Sequence, residues 1–233
     1  MITAFYTAST GAVQLQTGLD VVANNIANVS TSGYKTSKTT FADLVYTNLR
    51  QAQGDSNLKV GHGTKLLKTD VLHQQGAYQN TGRLLDYAIP SDNGFFALET
   101  ANGIQYSRCG NFELTKAGDK FYLTGAQGGF VLNSKGQRIE VKNEEDNHDI
   151  GVYTFANNGG LEIEGGLFFK PTAASGAAQQ NKDIVPTRGC LENSNVDLTQ
   201  SMVDMIEVQR AFQLNTRIVQ ISDEIMQTVN ALR

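Results

Sequence analysis

The chain has 233 residues, enough to bury one sizeable core or two small ones. Apolar residues make up 40% and charged residues 18%, which is typical of a folded protein and excludes a largely disordered one. The formal net charge of −4 argues against binding to nucleic acid or to an anionic membrane surface, because both need basic patches.

The start of the sequence does not predict a cleavable signal peptide. Such a peptide opens with a basic stretch followed by an apolar run, whereas the first basic residue here is Lys35. No run in the sequence approaches the ~18 apolar residues that a membrane span needs. We therefore expect a cytoplasmic protein, or one exported by a route that does not read this kind of signal.

The first thirty residues predict an amphipathic helix. Its apolar side chains recur at alternating spacings of three and four, which lines one narrow stripe, as in the seam of a coiled coil. Gly33 is expected to stop the helix. A helix packed on its own domain has the same periodicity, so the spacing alone leaves both interpretations open. The stripe consists of Phe5, Ala8, Ala12, Leu15, Leu19, Val22, Ile26 and Val29.

The central region predicts an antiparallel barrel or sandwich. It holds most of the 23 glycines and all three prolines, and short β-prone segments alternate there with turn signals such as Asp92-Asn93-Gly94. An exposed loop is expected at 171–183. The predicted strands cover residues 85–89, 95–99, 104–107, 111–115, 121–124, 129–133 and 138–141.

The last forty residues contain neither Gly nor Pro and predict one long helix. Ser194 and Asp197 have the spacing of a capping box at its start. Two adjoining apolar stripes make a face wider than one partner helix covers, so we expect more than one neighbour. The seam stripe repeats every seven residues and consists of Leu198, Met205, Phe212, Val219 and Met226, with the companion row Ser201, Val208, Asn215, Ser222 and Val229. The second stripe consists of Leu214, Ile218, Ile221, Ile225 and Leu232.

Residues that could carry chemistry are few and scattered. The three histidines have no metal-binding spacing, and Gly61-His62-Gly63 lacks the following helix and Lys of a phosphate loop. Cys109 and Cys190 lie far apart and cannot define a disulfide framework. Glu144-Glu145-Asp146 is more typical of a solvated loop than of a calcium site. We expect no catalytic residue, cofactor, metal, nucleic acid or small-molecule substrate.

Motifs at both ends of the chain resemble those of bacterial flagellar rod and hook proteins. The first runs from Asp20 to Val29 and continues from Thr31 to Lys35, and the last covers residues 189–197 and 202–212. Between them, Gly94-Phe95-Phe96 and Tyr106-Ser107-Arg108 are similar to the family's central domain. The likeness spans nearly the whole chain.

The resemblance implies an α+β fold, with N- and C-terminal helices paired as a coiled coil and a central antiparallel β-rich domain outside them. The expected parts are a helical part at 1–42, the β-rich domain at 43–190 and a second helical part at 191–233. The expected assembly interface consists of Phe5, Leu15, Leu19, Val22, Asn24, Asn25, Ile26 and Asn28 in the first helix, and Leu198, Met205, Phe212, Ile218, Val219, Ile221, Ile225 and Met226 in the last.

The resemblance also implies a structural, non-enzymatic subunit of the flagellar rod that assembles helically into the drive shaft and transmits torque to the hook and filament. Expected partners are further copies of the chain, other rod and hook proteins, and the flagellar type III export apparatus. The last would pass the chain, unfolded and uncleaved, to the basal body, where the rod crosses the periplasm or cell wall. Phe41 and Val45 resemble the family's export motif.

Two alternatives stay open at this point. A hook-type axial subunit is less favoured, because hook proteins usually carry a larger outer region. A β-domain enzyme or binding module with helical arms belongs to a different class, and it would need a polar cluster in the central region.

Overall fold

The computed structural model describes residues 2–48, 59–143, 148–165 and 167–232. The chain forms two compact units. Unit 1 consists of Met1–Ala27, Ser37–Asp70 and Asp197–Arg233, and unit 2 consists of Asn28–Thr36 and Val71–Val196. The expected boundaries were 42/43 and 190/191; strand β1 (Ser37–Asp43), at the first of them, contacts helix α1 (Ile2–Ala27) and pairs with strand β4 (Thr64–Val71) after it, so both strands belong to unit 1.

Unit 1 contains both long helices and two pairs of strands. Helix α1 contacts helix α2 and strand β1, and β1 pairs with β4. Strands β2 and β3 pair antiparallel. The elements are α1 (Ile2–Ala27), β1 (Ser37–Asp43), β2 (Tyr46–Asn48), β3 (Lys59–Gly61), β4 (Thr64–Val71) and α2 (Leu198–Ala231).

Helix α1 ends six residues before the predicted stop at Gly33, so Val29 lies outside the helix. Asn28 turns the chain there, since its carbonyl oxygen accepts a hydrogen bond from the Thr31 amide at 3.1 Å. Gly33 has a different role. It has a φ of +74°, and a Cβ at this position would lie 2.6 Å from the Cys109 nitrogen. Its glycine is therefore required by a close backbone approach within unit 2.

The last helix is present as predicted, but it begins at Leu198, three residues later than the predicted capping box at Ser194 implies. The Asp197 side chain is the N-cap and accepts a hydrogen bond from the Gln200 amide at 3.1 Å. Ser194 instead accepts a hydrogen bond from the Val196 amide at 3.3 Å. An N-cap must lie directly before the first helical residue, and Ser194 lies four residues before Leu198.

Unit 2 is built from short strands. All seven predicted strands correspond to strands in β6–β12, several of them shorter than predicted. Strands β13–β18, of two or three residues each, were not predicted. The strands are β5 (Tyr78–Asn80), β6 (Tyr87–Ala88), β7 (Phe95–Thr100), β8 (Gly103–Ser107), β9 (Phe112–Ala117), β10 (Lys120–Gly125), β11 (Phe130–Val131), β12 (Glu140–Val141), β13 (Val152–Thr154), β14 (Glu162–Glu164), β15 (Phe168–Lys170), β16 (Gln179–Gln180), β17 (Thr187–Arg188) and β18 (Cys190–Glu192).

Ten of these strands form one antiparallel sheet, with the order β12-β10-β11-β7-β8-β15-β14 and with β9, β13 and β16 joined at its sides. Outside this sheet, β17 pairs with β6 and β18 with β5. The expected exposed loop at 171–183 contains β16 and the fully buried Ser175. The Ser175 hydroxyl donates a hydrogen bond to the Thr172 carbonyl at 2.9 Å, which satisfies it inside the fold.

Strand β7 lies at the centre of the core. Its side chains alternate between the two faces of the strand, as the period of a β-strand dictates. Phe96 and Leu98 belong to one apolar cluster, and Phe95 and Ala97 belong to the other. All four are at most 2% exposed. Both clusters lie in unit 2, where burial of each large side chain stabilises the fold by ~1.5–3 kcal/mol.

His73 is wedged between two rings of the second cluster. Its ring centroid lies 5.7 Å from that of Phe95 and 5.6 Å from that of Phe169. Its Nε2 lies 3.1 Å from the Asn158 carbonyl oxygen, to which the neutral ring can donate. The pKa of His73 is lowered to about 4, mainly by burial; the hydrogen bond to Asn158 opposes this shift, and the charges of Lys35 and Arg108 add to it.

We expect Gly110→Ala to destabilise unit 2 strongly. A Cβ at this position would lie 1.6 Å from the Tyr87 carbonyl oxygen, so the backbone would have to move, at a cost of ~3 kcal/mol or more. The matched control is Gly159→Ala, where the nearest atom would be 3.4 Å away. Denaturant unfolding measures both variants, and equal losses of stability would contradict the close approach at Gly110.

Acid should destabilise the fold through His73. Its pKa is about 4 when folded and 6.5 when exposed, so the unfolded chain binds the proton first as the pH falls. The contribution is therefore lost between pH 6.5 and about 4 and is constant below that range. The partial exposure of the ring limits the loss to about 2 kcal/mol. In His73→Gln, which keeps a donor without titrating, this part of the pH dependence should vanish. Unfolding free energies of both proteins across this range test the assignment.

Candidate functional site

The two long helices contact each other, and most of the buried and half-buried side chains of α2 lie in the seam stripe and its companion row. On α2, Ser201 and Ser222 are buried. Asn215 lies against α1 at Gly11, where a Cβ would be 3.3 Å from the Asn215 Oδ1. The Asn215 amide nitrogen donates to the Ala211 carbonyl at 3.0 Å within its own helix. Other members of this face are half-buried, namely Met205, Val208, Phe212 and Val219. Small and polar side chains thus let the helices approach closely.

The buried face of α1 is not the predicted apolar stripe alone. Gly11, Gly18 and Asn25 recur every seven residues and are buried. A Cβ at Gly18 would lie 3.0 Å from the Phe41 ring of β1. The Asn25 amide donates to the Ser37 carbonyl at 2.8 Å and accepts from the Ser37 amide at 3.0 Å. Sequence reasoning missed the two glycines because it followed large apolar residues, although their seven-residue spacing was a visible signal.

The predicted interface residues of α1 are only partly covered. Ala8 and Ala12 of the stripe are buried, whereas Phe5 and Asn24 are exposed. Of the other predicted positions, Asn25 is buried, and the rest are half-buried, namely Leu15, Leu19, Val22, Ile26 and, after the helix, Asn28. Unit 1 therefore leaves apolar area of α1 in contact with solvent.

The second stripe of α2 is exposed along its whole length. Ile221, at its centre, is 46% exposed. Leu214, Ile218, Ile225 and Leu232 are also exposed, and so are both ends of the seam stripe, Leu198 and Met226. Helix α2 thus presents a continuous apolar surface that its own chain does not cover.

The two units differ sharply in burial. Of the 25 exposed large hydrophobic residues in the described ranges, 18 lie in unit 1. Of the 23 buried apolar residues there, Ala8 and Ala12 alone belong to unit 1. Exposed apolar surface of this extent marks an interaction surface in a native protein. Unit 2 thus buries most of its large apolar side chains, whereas the helices of unit 1 leave many of theirs exposed to solvent.

A buried ion triad, Lys35, Arg108 and Glu192, lies inside unit 2. The Lys35 ammonium lies 2.6 Å from Glu192 Oε1, and the Arg108 guanidinium lies 2.8 Å from Oε2. All three residues are at most 4% exposed. The Gly76 amide also donates to Oε1, at 2.9 Å. One carboxylate therefore neutralises part of the charge of two cations, and the triad carries a net positive charge.

Backbone carbonyls accept hydrogen bonds from Lys35 Nζ and Arg108 Nη1, whereas Arg108 Nη2 lies in ion-pair contact with Glu192 Oε2 and makes no hydrogen bond. Lys35 donates to the Gln74 carbonyl at 2.7 Å, and Arg108 donates to those of Ser91 and Gly94 at 2.6 and 2.7 Å. Burial lowers the pKa of Lys35, the Arg108 charge lowers it further, and Glu192 opposes both effects. Glu192 is thus the main group that raises the pKa of Lys35 in this buried site, and the Asp92 charge adds to it.

Asn195 binds two other segments of unit 2. Its Oδ1 accepts hydrogen bonds from the amide and hydroxyl of Thr36 at 2.7 and 2.8 Å. Its amide nitrogen donates to the carbonyls of Leu72 and Gln74 at 2.8 and 2.9 Å. The Leu72 amide in turn donates to the Thr36 carbonyl at 2.9 Å. Three segments that lead towards unit 1 are therefore fixed side by side.

The other predicted positions that the structure describes form no reactive cluster, and Glu144-Glu145-Asp146 lies outside the described residues. Phe41 packs on Gly18, and Val45 is exposed. Cys109 and Cys190 are free thiols, and burial raises the pKa of Cys109. Among the residues that the structure describes, no three His, Cys, Asp or Glu side chains lie close enough to hold a metal. In the same ranges, neither helix is long and apolar enough to cross a membrane.

The geometry defines the class first: this is a subunit with a closed β unit and an apolar helical surface made for assembly. The known proteins then give the family. Residues 5–35 match the family described as flagella basal body rod protein, and residues 187–232 match the C-terminal family of the flagellar basal body rod proteins FlgEFG. These matches cover α1 and the first motif, and β17 to α2.

Full-length relatives agree with these matches. The chain is 36% identical to the flagellar basal-body rod protein FlgG of Bacillus subtilis, and the alignment covers all of both chains. It is 32% identical to FlgG of Borreliella burgdorferi, over all of this chain and 99% of the relative. It is 28% identical to the flagellar hook-basal body complex protein FlhP of Bacillus subtilis, over all of both chains.

The chain belongs to the flagellar basal-body rod protein family. It is a structural subunit of the flagellar rod, and the rod is part of the flagellar basal body. The structure gives the motif residues physical roles. Gly33 allows the close approach of the Cys109 backbone, and Lys35 and Glu192 form the ion triad with Arg108. Asn195 binds Thr36, and Asp197 caps α2.

The charge of the triad predicts an asymmetry between two substitutions that remove the same ion pair. Glu192→Gln leaves two buried cations uncompensated and should lower the free energy of unfolding by ~3–5 kcal/mol. Lys35→Met leaves a neutral Arg108–Glu192 pair and should cost about 1–2 kcal/mol. Denaturant unfolding of both variants tests this. Equal losses would mean that the hydrogen bond matters and the charge balance does not.

Proposed function

We propose that this chain polymerises helically through unit 1 and forms the drive shaft of the flagellum. The supporting observation is the contrast in burial between the two units. Unit 2 encloses both apolar clusters, whereas the described residues of unit 1 leave most of their large apolar side chains in water. Exposing that area is unfavourable by ~25 cal/mol per Å², so the helices gain stability when other copies cover them.

Within one chain, α1 and α2 would pair as a coiled coil that forms the inner layer of the rod. The seven-residue repeat of the seam stripe and the contact between the helices support this pairing. Gly11 opposite Asn215 permits a short distance between them. A polar residue inside such a seam fixes register, because a shifted partner would leave its amide facing apolar side chains.

Between chains, the second stripe of α2 would bind neighbouring copies. Its three isoleucines are exposed and follow one another at spacings of three and four, so they share one face of the helix. Covering them would contribute a few kcal/mol per subunit, in line with ~1.5–3 kcal/mol per fully buried side chain. The half-buried Leu19, Val22 and Ile26 of α1 add to the available apolar surface.

The completed polymer would bind other rod and hook proteins and transmit torque to the hook and filament where the rod crosses the periplasm or cell wall. A load-bearing subunit needs a stiff body, and the doubly buried β7 and the ion triad supply one in unit 2. The subunit would act without any catalytic step.

Export would take place through the flagellar type III apparatus, unfolded and without cleavage. Phe41 and Val45 would serve as the recognition motif during that passage. Both side chains are available in an unfolded chain, and Phe41 would then pack on Gly18 once the chain folds.

Removing the apolar character of the second stripe should block polymerisation without unfolding the subunit. The test variant is Ile221→Ser with Ile225→Ser, and its matched control is Gln213→Ser with Gln220→Ser on exposed positions of the same helix. We expect the isoleucine variant to lose rod assembly and the glutamine variant to retain it. The two variants lose similar helix propensity, so a difference between them reports on the apolar surface. Assembly is followed by sedimentation and motility, with circular dichroism as the folding control. Normal rods from the isoleucine variant would contradict the proposed interface.

A further inference from the structure

Residues 187–196, which we call the closing segment, lie between two parts of unit 2 that come much earlier in the chain. On one side, the Asn193 amide donates to the Ala77 carbonyl at 2.8 Å, and β18 pairs with β5. On the other side, the Gly33 amide donates to the Glu192 carbonyl at 2.8 Å. The closing segment therefore bridges the N-terminal residues 28–36 to the β unit.

Apolar packing contributes little to the docking of this segment. Its two strands have two and three residues, and both lie outside the ten-stranded sheet. Cys190 and Leu191 are half-buried, and Glu192 is the residue of β18 that is fully buried. The segment is thus held mainly by its backbone hydrogen bonds, by the Glu192 carboxylate and by the Asn195 amide.

Before Glu192 docks, the site it fills would hold two cations and no anion of the triad. Lys35 and Arg108 would keep backbone carbonyls as hydrogen-bond partners, and the more distant Asp92 charge would be a weaker counter-charge than Glu192 for Lys35. Two like charges cannot be dehydrated together at a tolerable cost, so water must stay. Residues 28–36 cannot seat Lys35 in its dry position until the carboxylate arrives.

We propose that the closing segment is a completion switch: unit 2 remains open at residues 28–36 until Glu192, near the other end of the chain, docks between Lys35 and Arg108. Docking also brings Asn195 to Thr36 and Leu72, so one event fixes all three segments. This inference rests on the proposed function in one respect, namely that the chain is exported unfolded. In a chain exported unfolded, the switch would prevent a partly exported chain from completing its fold.

The order of events is tested by pulse-labelling hydrogen exchange during refolding of the full chain at a concentration where it is monomeric. We expect the amides of Gly33, Gly76 and Asn193 to become protected together, and later than the amides of β7. Protection of Gly33 and Gly76 at the rate of β7, ahead of Asn193, would overturn the proposal.

The role of the charge is tested at equilibrium in the folded monomer. Glu192→Gln should reduce the protection of Gly33, Gly76 and Asn193 by about tenfold or more, while β7 keeps its protection. The matched control Glu162→Gln changes an exposed glutamate of β14 and should alter none of these amides. Adding Lys35→Met to Glu192→Gln should restore part of the protection, because one buried cation is removed.

Two results of this experiment would overturn the switch. Unchanged protection in Glu192→Gln would show that the carboxylate does not hold the segment. An equal loss at β7 would show that the segment does not open separately from the rest of unit 2. Neither exchange measurement involves polymerisation, so their results do not depend on whether the proposed assembly is correct. Conversely, results that overturn the switch would not contradict the proposed assembly interface.

Discussion

The Glu192 carboxylate binds two buried cations that come from distant parts of the chain. Lys35 lies 157 residues before it and Arg108 lies 84 residues before it. Charges of this kind are costly to dehydrate, and only close contacts with full hydrogen bonding offset the cost. The Gly76 amide donates to the Glu192 carboxylate and Arg108 donates to the Gly94 carbonyl, which offsets part of this cost. This one site fixes residues 28–36 against the closing segment, and α2 starts six residues after Glu192.

The same site explains why the two units divide their tasks. Unit 2 uses its apolar residues internally, since β7 is buried on both faces. Glu192 and Asn195 bind residues 28–36 to the closing segment within this unit. The helices of unit 1 keep small residues, Gly11 and Gly18, for their internal contacts and direct isoleucines outwards. A subunit of a polymer needs this arrangement, because its monomer must fold while its binding surface stays incomplete.

Periodic features were predictable from the sequence, and pairings between distant residues were not. The seven-residue repeat of the last helix was sufficient to predict α2, and glycine-containing turns predicted β7 to β10 correctly. Strands of two residues, such as β16 and β17, carry no periodic signal, so they were missed. The capping prediction failed at Ser194 because a spacing pattern cannot locate the first helical residue.

The candidate site shows the same limit. The second stripe was readable as an apolar face of a helix, and its exposure agrees with that expectation. The ion triad could not be predicted, because a single sequence contains no signal that pairs Lys35 with Glu192, 157 residues later in the chain. Gly33 looked like a helix stop, whereas its conformation serves a contact with the Cys109 backbone that only the fold reveals.

Cysteine cross-linking in assembled rods tests whether the second stripe binds neighbouring chains and the seam stripe pairs the two helices of one chain. Cys109 and Cys190 are first replaced, and single cysteines are placed at position 221 of the second stripe or, paired with a cysteine in α1, at position 212 of the seam stripe. We expect a cysteine at position 221 to form covalent dimers between chains, and a cysteine at position 212 to cross-link to α1 within one chain. Cross-links within the chain from 221 together with links between chains from 212 would contradict it.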